Sequence, residues 1–327
     1  MGAMLEKCLV FPAPPVWDGM LSSTASPHVI WNAQPVGVIG GGVRRPFLWL
    51  EVQLALATVI YFHSNAEDVN LAEEWLKALS TRLCVNILAL EYPGYGLLQD
   101  PDVLDDLDTT TTIMQGIDSA AVHALQLIVN TLGIPSRKVL LYGRCLGSGP
   151  ALRLAAFARK HLGMDVGGVV LQSPFTSMKQ VAADVAGSWG PRLLSADYDN
   201  LSAVKELGTP ESTWTPLLVL HGDGNCLVGS HHSRALLAEA KQQGHDSVSE
   251  AFACEGTHDQ WDFDRDIILP VADFMLKHVC DFVPQKRQLT PTTARSGSLK
   301  LAELSAPPGP ELPPVPSDTD VDPPELL

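Results

Sequence analysis

The sequence predicts an α/β domain with a mainly parallel sheet flanked by helices, and three observations carry that expectation. Strand-like apolar runs alternate with helix-like segments over most of the length, the pattern of parallel strands joined by crossover helices. The run Val139-Leu140-Leu141 leads into Gly143-Arg144-Cys145-Leu146-Gly147 and then into a helix-like segment; a strand, a tight turn and a helix are expected there, with the glycines permitting the turn. The 327 residues, 46% of them apolar, are enough to bury one large core.

Taken in order, residues 1–28 form an N-terminal extension, 29–283 the folded domain and 284–327 a tail. Val29 to Val36 and Pro46 to Gln53 flank Gly40-Gly41-Gly42, an opening hairpin. That glycine run lacks the Lys and helix of a phosphate cradle. Strands are expected at Ala57 to His63, Val85 to Glu91, Lys138 to Tyr142, Gly168 to Gln172, Pro216 to His221 and Val248 to Cys254. Between them lie helix patterns near Glu67 to Leu79, Thr109 to Thr131, Ala151 to Lys160, His231 to Gln243 and Trp261 to Val279. The acidic run from Asp100 to Asp108 lacks the Gly and terminal Glu of a calcium loop and suits the start of a helix at Thr109. Residues 177–214 hold Met178, Val181, Val185, Trp189, Leu193, Leu194 and Trp214, either a small cap over a site or ordinary packing. The tail, rich in Pro, Ser, Thr and acid, is expected to be disordered.

A net charge of -15 argues against a nucleic-acid partner and disfavours attraction to anionic lipid. The six cysteines are scattered, without zinc or disulfide-scaffold spacing, and read as reduced thiols of a cytoplasmic protein. The N-terminus resembles neither a signal peptide nor a membrane span. Cys8, beside Leu9-Val10-Phe11, is a candidate for acylation and peripheral membrane contact, against the simpler reading of a packed thiol.

The turn at Gly143 to Gly147 has the Gly-x-nucleophile-x-Gly form of a nucleophile elbow, which exposes its central side chain. That side chain is the thiol of Cys145. His63-Ser64-Asn65-Ala66 ends an early strand, where a backbone N–H of Asn65 or Ala66 can join that of Leu146 in an oxyanion hole. His221-Gly222-Asp223-Gly224-Asn225 ends the strand that would supply an acid, and His258 in Gly256-Thr257-His258-Asp259 follows the last strand. Ser148 reads as a helix-start residue, and His231-His232 as an exposed pair without an acidic neighbour at ligand spacing. Cys226 is weighed as a redox partner of Cys145.

Together with Tyr61 to Asp68, Glu91-Tyr92-Pro93-Gly94-Tyr95-Gly96 and Gln172-Ser173-Pro174-Phe175-Thr176-Ser177, these segments resemble the α/β-hydrolase-domain family, in the branch of palmitoyl-protein depalmitoylases and serine aminopeptidase-like hydrolases. The resemblance covers roughly residues 29 to 282. It implies an α/β-hydrolase fold with a small cap, needing no cofactor, that acts on an ester or thioester. A long-chain acyl group on a small molecule or a protein is the implied substrate. Two positions depart from the family: Cys145 stands where it has serine, and Asn225 where it has the acid, leaving Asp223 as an alternative acid. Cysteine, histidine and asparagine form a workable set, because a thiol can pass its proton to imidazole before substrate arrives. Cys145 is therefore expected to be the most reactive thiol. The competing reading is a catalytically inactive, hydrolase-like acyl- or protein-binding module.

Overall fold

The computed structural model describes residues 29–35, 42–98, 110–208, 213–253 and 255–280. The extension at 1–28 with Cys8, the acidic run, Cys254 and the tail at 284–327 lie outside the described residues.

Eight strands form one sheet: β1 (Val29–Pro35), β2 (Gly42–Leu50), β3 (Ala57–Phe62), β4 (Val85–Leu90), β5 (Val139–Arg144), β6 (Gly168–Gln172), β7 (Leu217–Gly222) and β8 (Val248–Ala253), in the order β1-β2-β4-β3-β5-β6-β7-β8. The first two make the expected hairpin, in register from Val29 opposite Leu48 to Pro35 opposite Gly42. β2 joins β4 antiparallel, and β3 to β8 are mutually parallel.

The parallel strands require crossovers, and helices supply them: α1 (Val69–Leu83), α2 (Thr110–Gln126), α3 (Ser148–Leu162), α4 (Met178–Ala186), α5 (Asn200–Lys205) and α6 (Ser230–Gln242), while α7 (Leu269–Met275) follows the last strand. α1 begins two residues after the expected Glu67 because the Asp68 carboxylate caps it, accepting from the backbone of Asn70 and Leu71. α2 continues through the wider turn Leu127–Thr131. The expected final helix is a run from Phe263 to Cys280 in which wider turns flank α7.

Strand side chains alternate between two buried clusters. Ile60 and Phe62 pack with residues of α2, α3 and α6, whereas Val59 and Tyr61 pack with residues of α1 and α7. Covering both faces removes the need for polar positions, which is why β3 to β7 are almost continuously apolar.

The segment expected as a cap divides in two. Met178, Tyr198, Leu207 and Trp214 are buried, while Val185, Trp189 and Leu193 are 71%, 71% and 52% exposed. Tyr198 lies where a side chain on Gly149 would be, so only glycine fits at that point of α3. Ser177 and Asp199 cap α4 and α5, accepting from the amides of Gln180 and Ser202.

Candidate active site

The parallel register places the ends of β3, β5, β6, β7 and β8 side by side, with Phe62 opposite Gly143, Arg144 opposite Gln172, and Gly222 opposite Ala253. The residues immediately beyond these ends share one edge of the sheet, where ligands of parallel α/β sheets bind.

At the elbow Cys145 has φ +49°, a left-handed conformation that costs a non-glycine residue about 1–3 kcal/mol. A Cβ on Gly143 would fall on the Gly147 carbonyl, and one on Gly147 on the Phe62 carbonyl. Ser148 opens α3 as expected, donating its hydroxyl to the Cys145 carbonyl at 2.7 Å. It also accepts from Asn200 Nδ2 at 3.1 Å.

Leu146, the residue after the nucleophile position, is buried in the same turn as Cys145, and its backbone N–H acts to lower the thiol. On the neighbouring loop, Tyr95 donates to Asn65 Oδ1 at 2.6 Å and Tyr92 to the His63 carbonyl at 3.0 Å. His63 stacks on Tyr92 with centroids 3.6 Å apart and lies 3.3 Å from Glu91, whose carboxyl is raised by burial. The strand-end motif from Glu91 to Gly96 thus fixes the loop that holds Asn65 and Ala66.

His258 meets Asn225, the residue at the position where the resemblance implies an acid: Nδ1 lies 3.1 Å from Asn225 Nδ2 and 3.3 Å from Oδ1. Asn225 Nδ2 also donates to Ser173 Oγ at 3.1 Å, and Oδ1 accepts from the amides of Leu227 and Val228 at 3.1 and 3.0 Å. Asp223, the alternative acid, instead accepts from Arg234 at 3.4 Å. Two residues of offset turn it toward α6, so His258 is served by Asn225.

Several supporting residues escaped the sequence reading. Buried His221 binds Ser233 Oγ through Nδ1 at 2.7 Å and donates from Nε2 to the Val228 carbonyl at 2.9 Å, tying the Asn225 loop to α6. Arg144 reaches Glu67 at 3.0 Å and Asp259 at 2.9 Å. Ser173 has φ +52°. Strand-end position was the available signal for each.

Two expectations are corrected. His232 is buried rather than exposed, and both His231 and His232 place Nε2 3.0 Å from Asp184 Oδ2. Asp184 was invisible as a neighbour because it comes from α4. Nor do the electrostatics support a resting thiolate–imidazolium pair. Burial pushes the Cys145 thiol up to about 11 against the opposing pull of the Leu146 N–H and Arg144. Burial also lowers His258, Asp259 acting in the opposite sense. At neutral pH only ~10⁻⁴ of a thiol with that pKa is thiolate. Alkylation at pH 7 should therefore label exposed Cys226 before Cys145, with the Cys145 rate rising about tenfold per pH unit toward 11. Peptide mapping of timed samples checks this; early, pH-independent labelling of Cys145 would restore the ion pair. Cys145 and Cys226 are both free thiols, and Cys226 faces the Gly224 carbonyl at 3.5 Å.

An esterase of Pyrococcus furiosus superposes on 82% of the chain and 98% of its own length with a TM-score of 0.58 at 15% identity. The protein has the α/β-hydrolase fold. A solved arylesterase matches 84% of this α/β-hydrolase-fold chain and 91% of its own, with a TM-score of 0.55 at 13% identity. By sequence the chain is similar to the alpha/beta hydrolase domain-containing protein aho-3 of Caenorhabditis elegans, 27% identical over 125 residues covering 38% of this chain and 33% of the relative. It is also similar to the human alpha/beta hydrolase domain-containing protein 17B, 24% identical over 187 residues, 57% of this chain and 56% of the relative. The chain thus spans about a third to a half of the curated relatives it matches. No protein-family model matches it. Among the described residues no helix is long and apolar enough to cross a membrane.

Proposed function

We propose that the protein hydrolyses an ester or thioester, with a long-chain acyl group as the substrate class, through an acyl-Cys145 intermediate. The observation that carries this reading is the left-handed Cys145 at the elbow, with His258 held by Asn225 at the same sheet edge. Cys145 attacks the carbonyl, while the N–H of Leu146 and that of Asn65 or Ala66 receive the oxyanion. His258 is the imidazole of the site and Asn225 orients it, so which ring nitrogen is free decides whether it can take a proton in either step. The esterase neighbours and the α/β-hydrolase relatives agree with this chemistry.

Incubating the protein with acyl esters and thioesters of graded chain length, followed by intact-mass analysis, tests it. An adduct at Cys145 that forms and is then lost is the expected result. Binding without an adduct at any pH would overturn it in favour of an acyl- or protein-binding module, the reading that the raised thiol of Cys145 favours.

The exposed apolar side chains of the cap suit an acyl chain. Trp189, with the Arg192 guanidinium 4.9 Å from its ring, is exposed, as are Val185 and Leu193 of the same segment. Trp189→Ala should weaken binding of long acyl chains about tenfold, as loss of a large apolar contact implies, and leave short ones unchanged. Calorimetric titration with a chain-length series checks this; equal losses at all lengths would remove Trp189 from the acyl path.

A further inference from the structure

We infer that Asn225 serves His258 as a hydrogen-bond donor, so that the resting imidazole carries its proton on Nε2, the nitrogen turned away from Asn225. The orientation of the amide is fixed by groups that can only donate. Leu227 N–H and Val228 N–H both end on the same atom of Asn225, at 3.1 and 3.0 Å, and that atom must be the oxygen. Flipping the amide would set an NH₂ group against two N–H groups and leave both without an acceptor. The loop cannot easily rearrange to permit this, because the Val228 carbonyl is held by His221 at 2.9 Å.

The amide nitrogen therefore faces Ser173 Oγ and His258 Nδ1, each at 3.1 Å. It has two protons and no acceptor capacity, so it fits an Nδ1 that presents its lone pair. Oδ1 lies farther from Nδ1, at 3.3 Å, and its two lone pairs already serve the backbone donors. A neutral imidazole with a bare Nδ1 has its proton on Nε2. An aspartate at 225 would offer an acceptor in place of Nδ2 and reverse the tautomer. The charged and titratable groups acting on the site are Asp259 in the same loop, Arg144 from the end of β5 with its partner Glu67, His221 from β7, and Cys145 itself.

The consequence rests on the acyl-Cys145 reading. In acylation the thiol proton goes to solvent, sulfur bonds to the carbonyl carbon, the bond to the leaving group breaks, and the leaving group takes a proton from solvent. Hydrolysis of acyl-Cys145 requires water to lose a proton as its oxygen bonds to the carbonyl carbon; the carbon–sulfur bond then breaks, and the departing thiolate takes a proton from solvent. An Nε2–H cannot accept that proton. Bulk water, with a pKa of roughly 15.7, needs a base far more than a thiol does. The lock on His258 thus falls mainly on deacylation, which becomes the slow step, so acyl-Cys145 accumulates before it is lost.

Histidine ¹⁵N spectra of the full-length protein at neutral pH test the inference without any variant, His258→Gln serving only to assign the signal. The expected pattern is a protonated Nε2 and a bare Nδ1; a protonated Nδ1 overturns the proposal. A parallel time course follows acyl-Cys145 by mass after one dose of an activated thioester. In the natural protein its decay should rise tenfold per pH unit through neutrality, whereas Asn225→Asp should decay ~10²–10⁴-fold faster, with a plateau set by the imidazole. Equal decay and equal pH profiles overturn the consequence for deacylation. Absence of any adduct in both proteins sinks the acyl-Cys145 reading, while the spectra decide the tautomer by themselves.

Discussion

Replacing Cys145 by serine while Asn225 stays in place is expected to lower turnover of an activated ester by about 10⁴-fold, the scale on which a serine triad suffers when its histidine is held in the wrong tautomer. Serine needs a base at the moment of attack, since its hydroxyl is far less acidic than even the raised Cys145 thiol. Asn225 Nδ2, facing His258 at 3.1 Å, withholds that base. The double replacement Cys145→Ser with Asn225→Asp should recover hydrolysis, because a carboxylate there would accept from Nδ1 and leave Nε2 free to take the serine proton. Rates on one ester for the natural protein, the two single variants and the double variant decide the matter. Activity in Cys145→Ser within tenfold of the natural protein would show that the asparagine imposes no such handicap. Activity confined to the double variant would mark the natural site as one that has given up turnover.

Gly147→Ala should cost about 3 kcal/mol or more, the upper end of overpacking penalties, and should remove acylation of Cys145 as well. A methyl group there meets the Phe62 carbonyl and Cβ at the end of β3, so relief requires moving the backbone of either the elbow or a central strand. Gly133→Ala provides the comparison. Its φ is +70° with open space around it, so it bears only the left-handed backbone penalty of about 1–2 kcal/mol. Urea denaturation of both variants checks the difference. A Gly147→Ala protein as stable as Gly133→Ala would mean that the close approach of elbow and strand is not a constraint.

The strands were legible in the sequence because burial on both faces leaves apolar runs without competing signals; Gly168–Gln172 was read to the residue. Errors gathered where local preference gives way to tertiary need. α3 starts at Ser148 rather than Ala151, since Gly149 and Pro150 are poor helix formers in general but fit a first turn. In the site, Cys145 stood out by its turn between strand and helix, and Asn225 and His258 by the family resemblance, which assigns a role to those offsets after a strand. The support around them did not, because it spans the chain: Arg144 meets Glu67 across 77 residues and Asp259 across 115. The orientation of the Asn225 amide depends on two backbone N–H groups, which no choice of side chain announces. Burial, which suppresses the expected ion pair, is likewise a property of the assembled sheet edge.

Arg144 joins the oxyanion-side loop, through Glu67, to the histidine loop, through Asp259. Because it also stands next to Cys145 in the chain, the three parts of the site share one mechanical node. An outward swing of either loop would break its tie to that guanidinium. A change at Asp259, on the surface, thus acts on the same guanidinium that holds Glu67 beside the oxyanion-side loop.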